Sequence, residues 1–359
     1  MTRPGLDDIG RMGLALGAGA LGALAAQAVS MPLPWMLGPM CACTLLAVLR
    51  APIKGPTTIR PPMIMVLGVM LGSGFTPSML ERAGDWAASL ALLGGYILIT
   101  GFLAYHYFRR IGGYDRVTAY FAGMPGGLNE MMLVGAAMGG DDRRIVLTHA
   151  SRILLAVLAI PIFFRLTTDV ELVDRTRFGV ALADVAAQDY AILILSGLLG
   201  WPLAKLLRLP AALLVGPMMV SAIVHLAGFS AAQPPTVIVN LAQWVIGTVI
   251  GCRFVGVARR EVLRVLGLSV GSTAMMLAVT VLFALLLNRL AGVEIDAVVL
   301  AYAPGGLAEM SLVALALGAD VAFVATHHVV RIVLVVIAAP IAFRRLWPDA
   351  RGRPPDGPE

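Results

Sequence analysis

Apolar residues run along this chain in long blocks, which short polar stretches separate. The blocks share a helical length and a near absence of charge. In the first half they cover residues 11–30, 32–49, 62–80, 86–108, 117–139 and 145–164. In the second half they cover residues 188–206, 210–228, 236–252, 265–287, 297–318 and 321–343. Because about 17 to 25 apolar residues make a helix that crosses a bilayer, the pattern predicts an all-α polytopic membrane protein.

The composition supports this prediction and limits the classes of partner that the chain is expected to bind. The 359 residues are 59% hydrophobic and 13% charged, with a mean hydropathy of +0.87, whereas a soluble domain is about a quarter charged. Positive loops on the cytoplasmic side explain the net charge of +6, so the lipid bilayer is the expected partner and nucleic acid is not. The 3 cysteines show no metal-ligand spacing, so no metal and no cofactor are expected.

Two segments of the chain are copies of each other. FAGMPGGLNEMM begins at Phe121 and AYAPGGLAEMSL at Ala301, which puts Pro125 and Pro304 179 residues apart. The first helices also match, since LGALAAQAVSMPLPWMLGPM from Leu21 resembles LGWPLAKLLRLPAALLVGPM from Leu199. The duplication predicts a first membrane repeat over 1–164, a polar linker over 165–187, a second membrane repeat over 188–343 and a disordered cytoplasmic tail over 344–359.

Each Pro-Gly-Gly must break its helix, because proline lacks an N–H and glycine weakens a helix. A broken helix at membrane depth is tolerated where it is buried in protein or lines a cavity. Two arms of about 10 residues, each about 15 Å long, would reach the middle of a bilayer core about 30 Å thick. Each broken block is therefore predicted to be a re-entrant hairpin.

Charge supports the hairpins over full crossings. With hairpins, most of the 27 Lys and Arg residues face the cytoplasm, and fewer do so if the broken blocks span the membrane. The chain is then a multi-pass membrane protein with both termini cytoplasmic. About five transmembrane helices and one hairpin in each half, an odd number of crossings, make the two repeats inverted. Inverted repeats with broken helices are the architecture of secondary transporters, and a homodimer is a further expectation.

Small residues mark places where helices are expected to pack closely. Gly68, Gly72 and Gly74 lie on or near one face of the third block, and such spacing lets helices approach in lipid. Gly38-Pro39-Met40 and Gly216-Pro217-Met218 interrupt the second block of each half. We expect a kink or close packing there, with backbone contact to a substrate as the alternative.

The doubled PGGLxEM segment, the Gly-Pro-Met of the second helix and the His-x-x-Arg of the last helix resemble the membrane AbrB-duplication family of bacteria. The resemblance covers nearly the whole chain and implies a location in the bacterial inner (cytoplasmic) membrane. Members carry labels as ammonia monooxygenases or as regulators of gene expression, and the family is not the small soluble DNA-binding AbrB fold. More distantly, the architecture resembles inverted-repeat carriers for citrate, glutamate or bile acids, which is an analogy of fold.

The candidate binding residues of the first motif are Pro125, Gly126, Gly127, Asn129 and Glu130, and those of the second are Pro304, Gly305, Gly306 and Glu309. After each Pro-Gly-Gly a new helix begins, and its unpaired N–H groups suit an anion or a polar carbonyl. The two glutamates either cap their own helices or exchange a proton or bind a cation.

His149 and Arg152 are three residues apart, as are His328 and Arg331, so each pair shares a helix face. An arginine within a membrane span is costly unless it is paired. Either the arginines form ion pairs that hold the hairpins, or they bind an anionic substrate beside a proton-carrying histidine. The acidic candidates for such ion pairs are Glu130, Glu309, Asp141 and Asp320.

Three functions follow from these observations. The first is a secondary transporter of a small anionic or zwitterionic solute, coupled to ions or protons, with its site between the two Pro-Gly-Gly tips. The second is a membrane-embedded regulator of gene expression that acts indirectly, because the loops are too short to fold as a DNA reader. The third is a membrane monooxygenase, which would need clustered metal ligands that the 5 dispersed histidines do not provide. No enzymatic activity is expected.

Overall fold

The structure is a computed structural model that describes residues 6–77, 79, 83–167 and 180–348. Within these residues all regular secondary structure is helical. The first half forms α1 (Leu6–Ala28), α2 (Pro34–Val48), α3 (Arg60–Ser73), α4 (Ala87–Arg110), α5 (Arg116–Gly123), α6 (Leu128–Ala137) and α7 (Asp142–Thr167). The second half forms α8 (Ala187–Leu206), α9 (Ala212–Leu226), α10 (Thr236–Gly251), α11 (Arg259–Ala291), α12 (Ile295–Tyr302), α13 (Leu307–Leu317) and α14 (Val321–Leu346). Every predicted apolar block therefore contains a helix, and each broken block contains two.

Seven of the described helices are long and apolar enough to cross a membrane, which agrees with a polytopic membrane protein. They are α1, α4, α7, α8, α10, α11 and α14. The helices α2, α3 and α9 have 14 or 15 residues and reach only about 21 to 23 Å, less than a bilayer core of about 30 Å. The expected five full crossings per half therefore stay a prediction.

The chain divides into two compact units, and each takes segments from both halves of the sequence. The first unit consists of Met1–Gly84, Val157–Val262 and Ala308–Ala325. The second unit consists of Asp85–Ala156, Leu263–Leu307 and Thr326–Glu359.

Glycines hold the helices of the first unit together. The helix α1 packs on α2, and α8 packs on α9. At each contact two glycines face each other, so a Cβ on Gly38 would clash with the Gly22 carbonyl and one on Gly216 with the Gly200 carbonyl. The expected close packing is thus present, while α2 and α9 continue through their internal prolines without interruption.

The second helix of each half packs on the third helix of the other half. The helix α9 packs on α3, and α2 packs on α10. Gly68 and Gly72 face the backbone of α9, and Gly247 and Gly251 face the backbone of α2. These small residues give the close helix approach that the sequence predicts.

In the second unit, α4 packs against α5 and α12, and α5 against α6. The helix α14 continues to Leu346, and the following Trp347 packs on Tyr120 and Phe343. Order therefore extends past the predicted start of the disordered tail, because an aromatic cluster holds Trp347. The rest of that tail, 349–359, and residues 168–179 of the predicted linker lie outside the described residues.

Candidate functional site

Both Pro-Gly-Gly motifs break their helices as the sequence predicts. The helix α5 ends at Gly123, Met124 and Gly127 are extended, and α6 begins at Leu128. In the second motif α12 ends at Tyr302, Ala303 is extended, and α13 begins at Leu307. We call residues 124–127 the first break and residues 303–306 the second break. An extended backbone takes its carbonyl groups out of the helical hydrogen-bond pattern, so they need other donors.

Arg152 supplies donors to the first break. Its side chain is buried, with a residue exposure of 3%. The guanidinium Nη1 donates to the Met124 carbonyl at 2.9 Å, and Nη2 lies 3.4 Å from the Gly126 carbonyl. Its Nε donates to the Pro304 carbonyl at 3.1 Å. Arg152 therefore connects the first break to the second break.

Arg331 occupies the equivalent position at the second break and is also buried. Its Nη1 donates to the Ala303 carbonyl at 2.6 Å and lies 3.3 Å from the Tyr302 carbonyl. Its Nη2 donates to the Gly305 carbonyl at 3.0 Å. The planar guanidinium suits this task, because it presents several N–H donors in a fixed fork.

A histidine orients each arginine. Arg152 Nη2 lies 2.9 Å from His149 Nδ1, and His149 Nε2 lies 3.0 Å from the Phe121 carbonyl. His328 makes the same two bonds, to Arg331 at 2.8 Å and to the Leu300 carbonyl at 3.0 Å. A guanidinium can only donate, so Nδ1 must accept and Nε2 must carry the proton. This geometry needs a neutral imidazole and argues against the expected proton-carrying histidine.

Apart from the 3.3 Å contact of Arg331 Nη1 with the Tyr302 carbonyl, the two arginines differ at Nε. Arg152 Nε bonds to Pro304, the first residue of the second Pro-Gly-Gly motif. Arg331 Nε is buried and has no hydrogen-bond partner among the described residues. An orphaned buried donor costs free energy, so such a group in a buried site requires an explanation.

In the part of the chain that the structure describes, no carboxylate pairs with Arg152 or Arg331. Both arginines bond to carbonyls and histidines, whereas Asp141 pairs with Arg144 at 3.2 Å. Asp141 and Asp320 instead accept from backbone N–H groups of Arg144 and Phe323, both at 2.9 Å. The expected ion pairs are therefore replaced by main-chain bonds, which leave two buried positive charges that repel each other.

The glutamates and Asn129 lie in different surroundings. Glu130 is half-buried and folds back over Gly127, so a Cβ at that glycine would clash with its carboxylate. Glu130 therefore lies close to the start of its own helix, and its capping and ion-binding roles both stay predictions. Asn129 is exposed. Glu309, in contrast, is buried and belongs to the first unit, while Glu130 belongs to the second.

A polar network beside the second break was missed by sequence reasoning. Ser89 Oγ donates to the Trp86 carbonyl at 2.8 Å and accepts from His327 Nε2 at 2.8 Å. The Tyr302 hydroxyl donates to the Ser89 carbonyl, and the ring of Tyr302 lies edge-on to Tyr96, with centroids 5.0 Å apart. A Ser and a Tyr in apolar helices carry no spacing signal, so this network could not be predicted. No group of three or more His, Cys, Asp or Glu among the described residues could hold a metal ion.

Comparison with known proteins places this chain in a family. The family model described as "Transition state regulatory protein AbrB" matches residues 35–347. The chain belongs to the AbrB family. It is 28% identical to "Uncharacterized protein YhjN" of Bacillus subtilis (strain 168), over 87% of each chain. It is 25% identical to "Putative regulator AbrB" of Escherichia coli (strain K12), over 88% of this chain and 91% of the relative. The predicted family resemblance is therefore confirmed.

Proposed function

We propose that this chain is a secondary transporter of a small anionic solute, with its binding site at the two breaks. The observation that carries the proposal is the pair of buried arginines that hold the breaks without a carboxylate partner. Two such charges in an apolar segment are costly, and residues of this kind mark substrate and ion pathways in membrane proteins. A small anion would neutralise part of that charge.

The Nε of Arg331 is the expected point of contact. It is a buried guanidinium donor without an acceptor among the described residues, and a carboxylate or similar oxygen forms strong bonds with guanidinium donors. The start of α6 after the first break adds unpaired N–H groups and a positive dipole end. Because Arg331 is buried in this conformation, solute access requires the second break to move.

The transport mechanism rests on the predicted topology. Re-entrant hairpins in two inverted repeats would expose the breaks to each side of the membrane in turn, as in other secondary transporters. Breaks held by arginine–carbonyl bonds can open without separating an ion pair. Glu309, a buried carboxylate, is the candidate for coupling to a proton or a cation.

Uptake into proteoliposomes tests the proposal. Purified protein would be given a panel of radiolabelled mono- and dicarboxylates and amino acids under sodium and proton gradients. We expect uptake of at least one anion, its loss in Arg331→Gln, and no loss in Arg289→Gln, which removes an exposed arginine. If no solute moves under any gradient, the proposal is wrong.

The topology has its own test. Single cysteines at Arg143 and Arg259, in a protein whose three native cysteines are replaced, would be labelled with a membrane-impermeant maleimide. The re-entrant arrangement in the bacterial inner membrane predicts that both positions are protected from outside. Labelling of both from the periplasm would contradict it.

The family description and the name of the Escherichia coli relative favour a second candidate, a regulator. In a transporter, regulation would be indirect, through the level of a transported metabolite. A deletion strain that changes transcription without changing any solute pool would support the regulator over the transporter.

A further inference from the structure

The first unit contains a cavity of about 830 Å³ whose charged lining is entirely basic. Its five charged residues are Arg11, Arg50, Lys54, Arg60 and Arg253. Lys54 Nζ pairs with Asp8 at 2.6 Å, but the lining itself contains no acidic side chain. Asp8 pairs with Lys54 and the charge of Arg60 acts on Glu309, so two carboxylates lie near five basic side chains. This excess of positive charge attracts anions to the cavity.

The duplicated sequence provides an internal comparison. The fold repeats its helix contacts in the second half, yet the matching positions there carry no basic residue. The duplication matches Arg11 with Asp189, Arg50 with Gly228, Arg60 with Val239 and Arg253 with Gly74. The loop 229–233, which corresponds to the loop that contains Lys54, also has no lysine or arginine. The helix packing of the first unit therefore does not require the basic cluster.

Arg50 also has a backbone conformation that favours glycine. Its φ is 60°, in the left-handed region, just after the end of α2. The matching residue after α9 is Gly228, with a φ of 75°. A side chain in this conformation is strained whereas glycine is not. The turn after the helix therefore does not require an arginine at this position.

We propose that this cavity binds a phosphate-bearing organic anion. Guanidinium groups match phosphate oxygens in bidentate geometry, and four of the five charged lining residues are arginines. The volume lies in the range of small-molecule sites. Apolar residues such as Ile53, Val249 and Val257 also line the cavity and would contact the organic part.

Two classes of ligand carry a phosphate group attached to an organic part. One is the headgroup of an anionic phospholipid, since basic pockets between membrane helices bind such headgroups. The other is a soluble phosphorylated metabolite. The two probes are therefore cardiolipin, compared with phosphatidylcholine, and inorganic pyrophosphate, compared with chloride at equal ionic strength.

The experiment measures the dissociation constant and the thermal stabilisation of full-length protein in a neutral detergent. Arg50→Gly removes one cation and relieves the strained backbone, so we expect a Tm that is unchanged or higher. We expect its affinity for the bound probe to fall about tenfold, the loss of one charge-assisted contact. The matched control is Arg208→Gly, an exposed arginine with a φ of 54° outside the cavity lining, which should bind like the wild type.

Binding of cardiolipin alone would identify a lipid headgroup as the ligand, and binding of pyrophosphate alone would identify a soluble anion. Either result, or binding of both probes, supports a phosphate site. Arg253→Gln repeats the test should Arg50→Gly fail to fold. The proposal is overturned if neither probe binds above its control, if the cavity variants bind like the wild type, or if Arg208→Gly weakens binding equally.

Discussion

Replacing each buried arginine by lysine tests whether Arg152 joins the two breaks. Lysine keeps the positive charge but concentrates its donors on one nitrogen, so it cannot reproduce the planar fork. At Arg331 the replacement loses bonds to the second break and the longer contact with the adjacent Tyr302 carbonyl, but no bond to the first break. At Arg152 it also loses the Nε bond to the Pro304 carbonyl, which connects the first break to the second.

The expected magnitude follows from that one additional bond. A hydrogen bond that involves a charged group contributes about 1.5–3 kcal/mol. The losses common to both variants cancel in the comparison. Arg152→Lys should therefore be less stable than Arg331→Lys by about 1.5–3 kcal/mol, while both are less stable than the wild type.

The assay is equilibrium unfolding of purified protein in mixed detergent micelles, with the sodium dodecyl sulfate fraction as the denaturant and helix content as the signal. Both variants retain the same charge, so a difference between them reports geometry and not electrostatics. Equal stabilities, or a larger loss for Arg331→Lys, would refute the asymmetry between the two breaks.

Three further predictions concern the packing, the histidines and the glutamates. Gly72→Ala should destabilise the protein by about 1–3 kcal/mol, because the added methyl clashes with the backbone of α9, whereas Gly94→Ala, which has open space around it, should be neutral or stabilising in the same unfolding assay. His328→Gln should retain uptake, since an amide can accept from Arg331 and donate to Leu300, whereas His328→Leu should lose it. If the wild-type uptake rate changed in a step near about pH 6.5 and this step disappeared in His328→Gln, the imidazole would not be permanently neutral. Glu309→Gln should abolish the ion dependence of uptake, and the less buried Glu130→Gln should not; the opposite pattern would assign coupling to the first motif.

Much of the helix pattern could be predicted from the sequence. Apolar blocks predicted every α-helix, because the membrane-type composition leaves polar residues at the ends. Proline and two glycines predicted both breaks, since these residues act on the local backbone. Gly68 and Gly72 predicted the close contact of α3 with α9, and the structure has the same kind of contact between α10 and α2 at Gly247 and Gly251.

The partners of the charged residues could not be predicted. The spacing of His149 and Arg152 puts both on one face, but it does not identify what they touch. A main-chain carbonyl has no sequence signature, so the bonds of Arg152 to Met124 and Pro304 were missed in favour of ion pairs. Helix length was also missed at α3, which ends at Ser73 inside the predicted block 62–80.

The most direct test of the anion site is a cryo-EM map of the protein with the anion that proteoliposomes take up, at a saturating concentration. The account predicts density for that anion at hydrogen-bond distance, about 2.7–3.2 Å, from Arg331 Nε. A map that places the anion away from both breaks, with Arg331 Nε still lacking an acceptor, would contradict it.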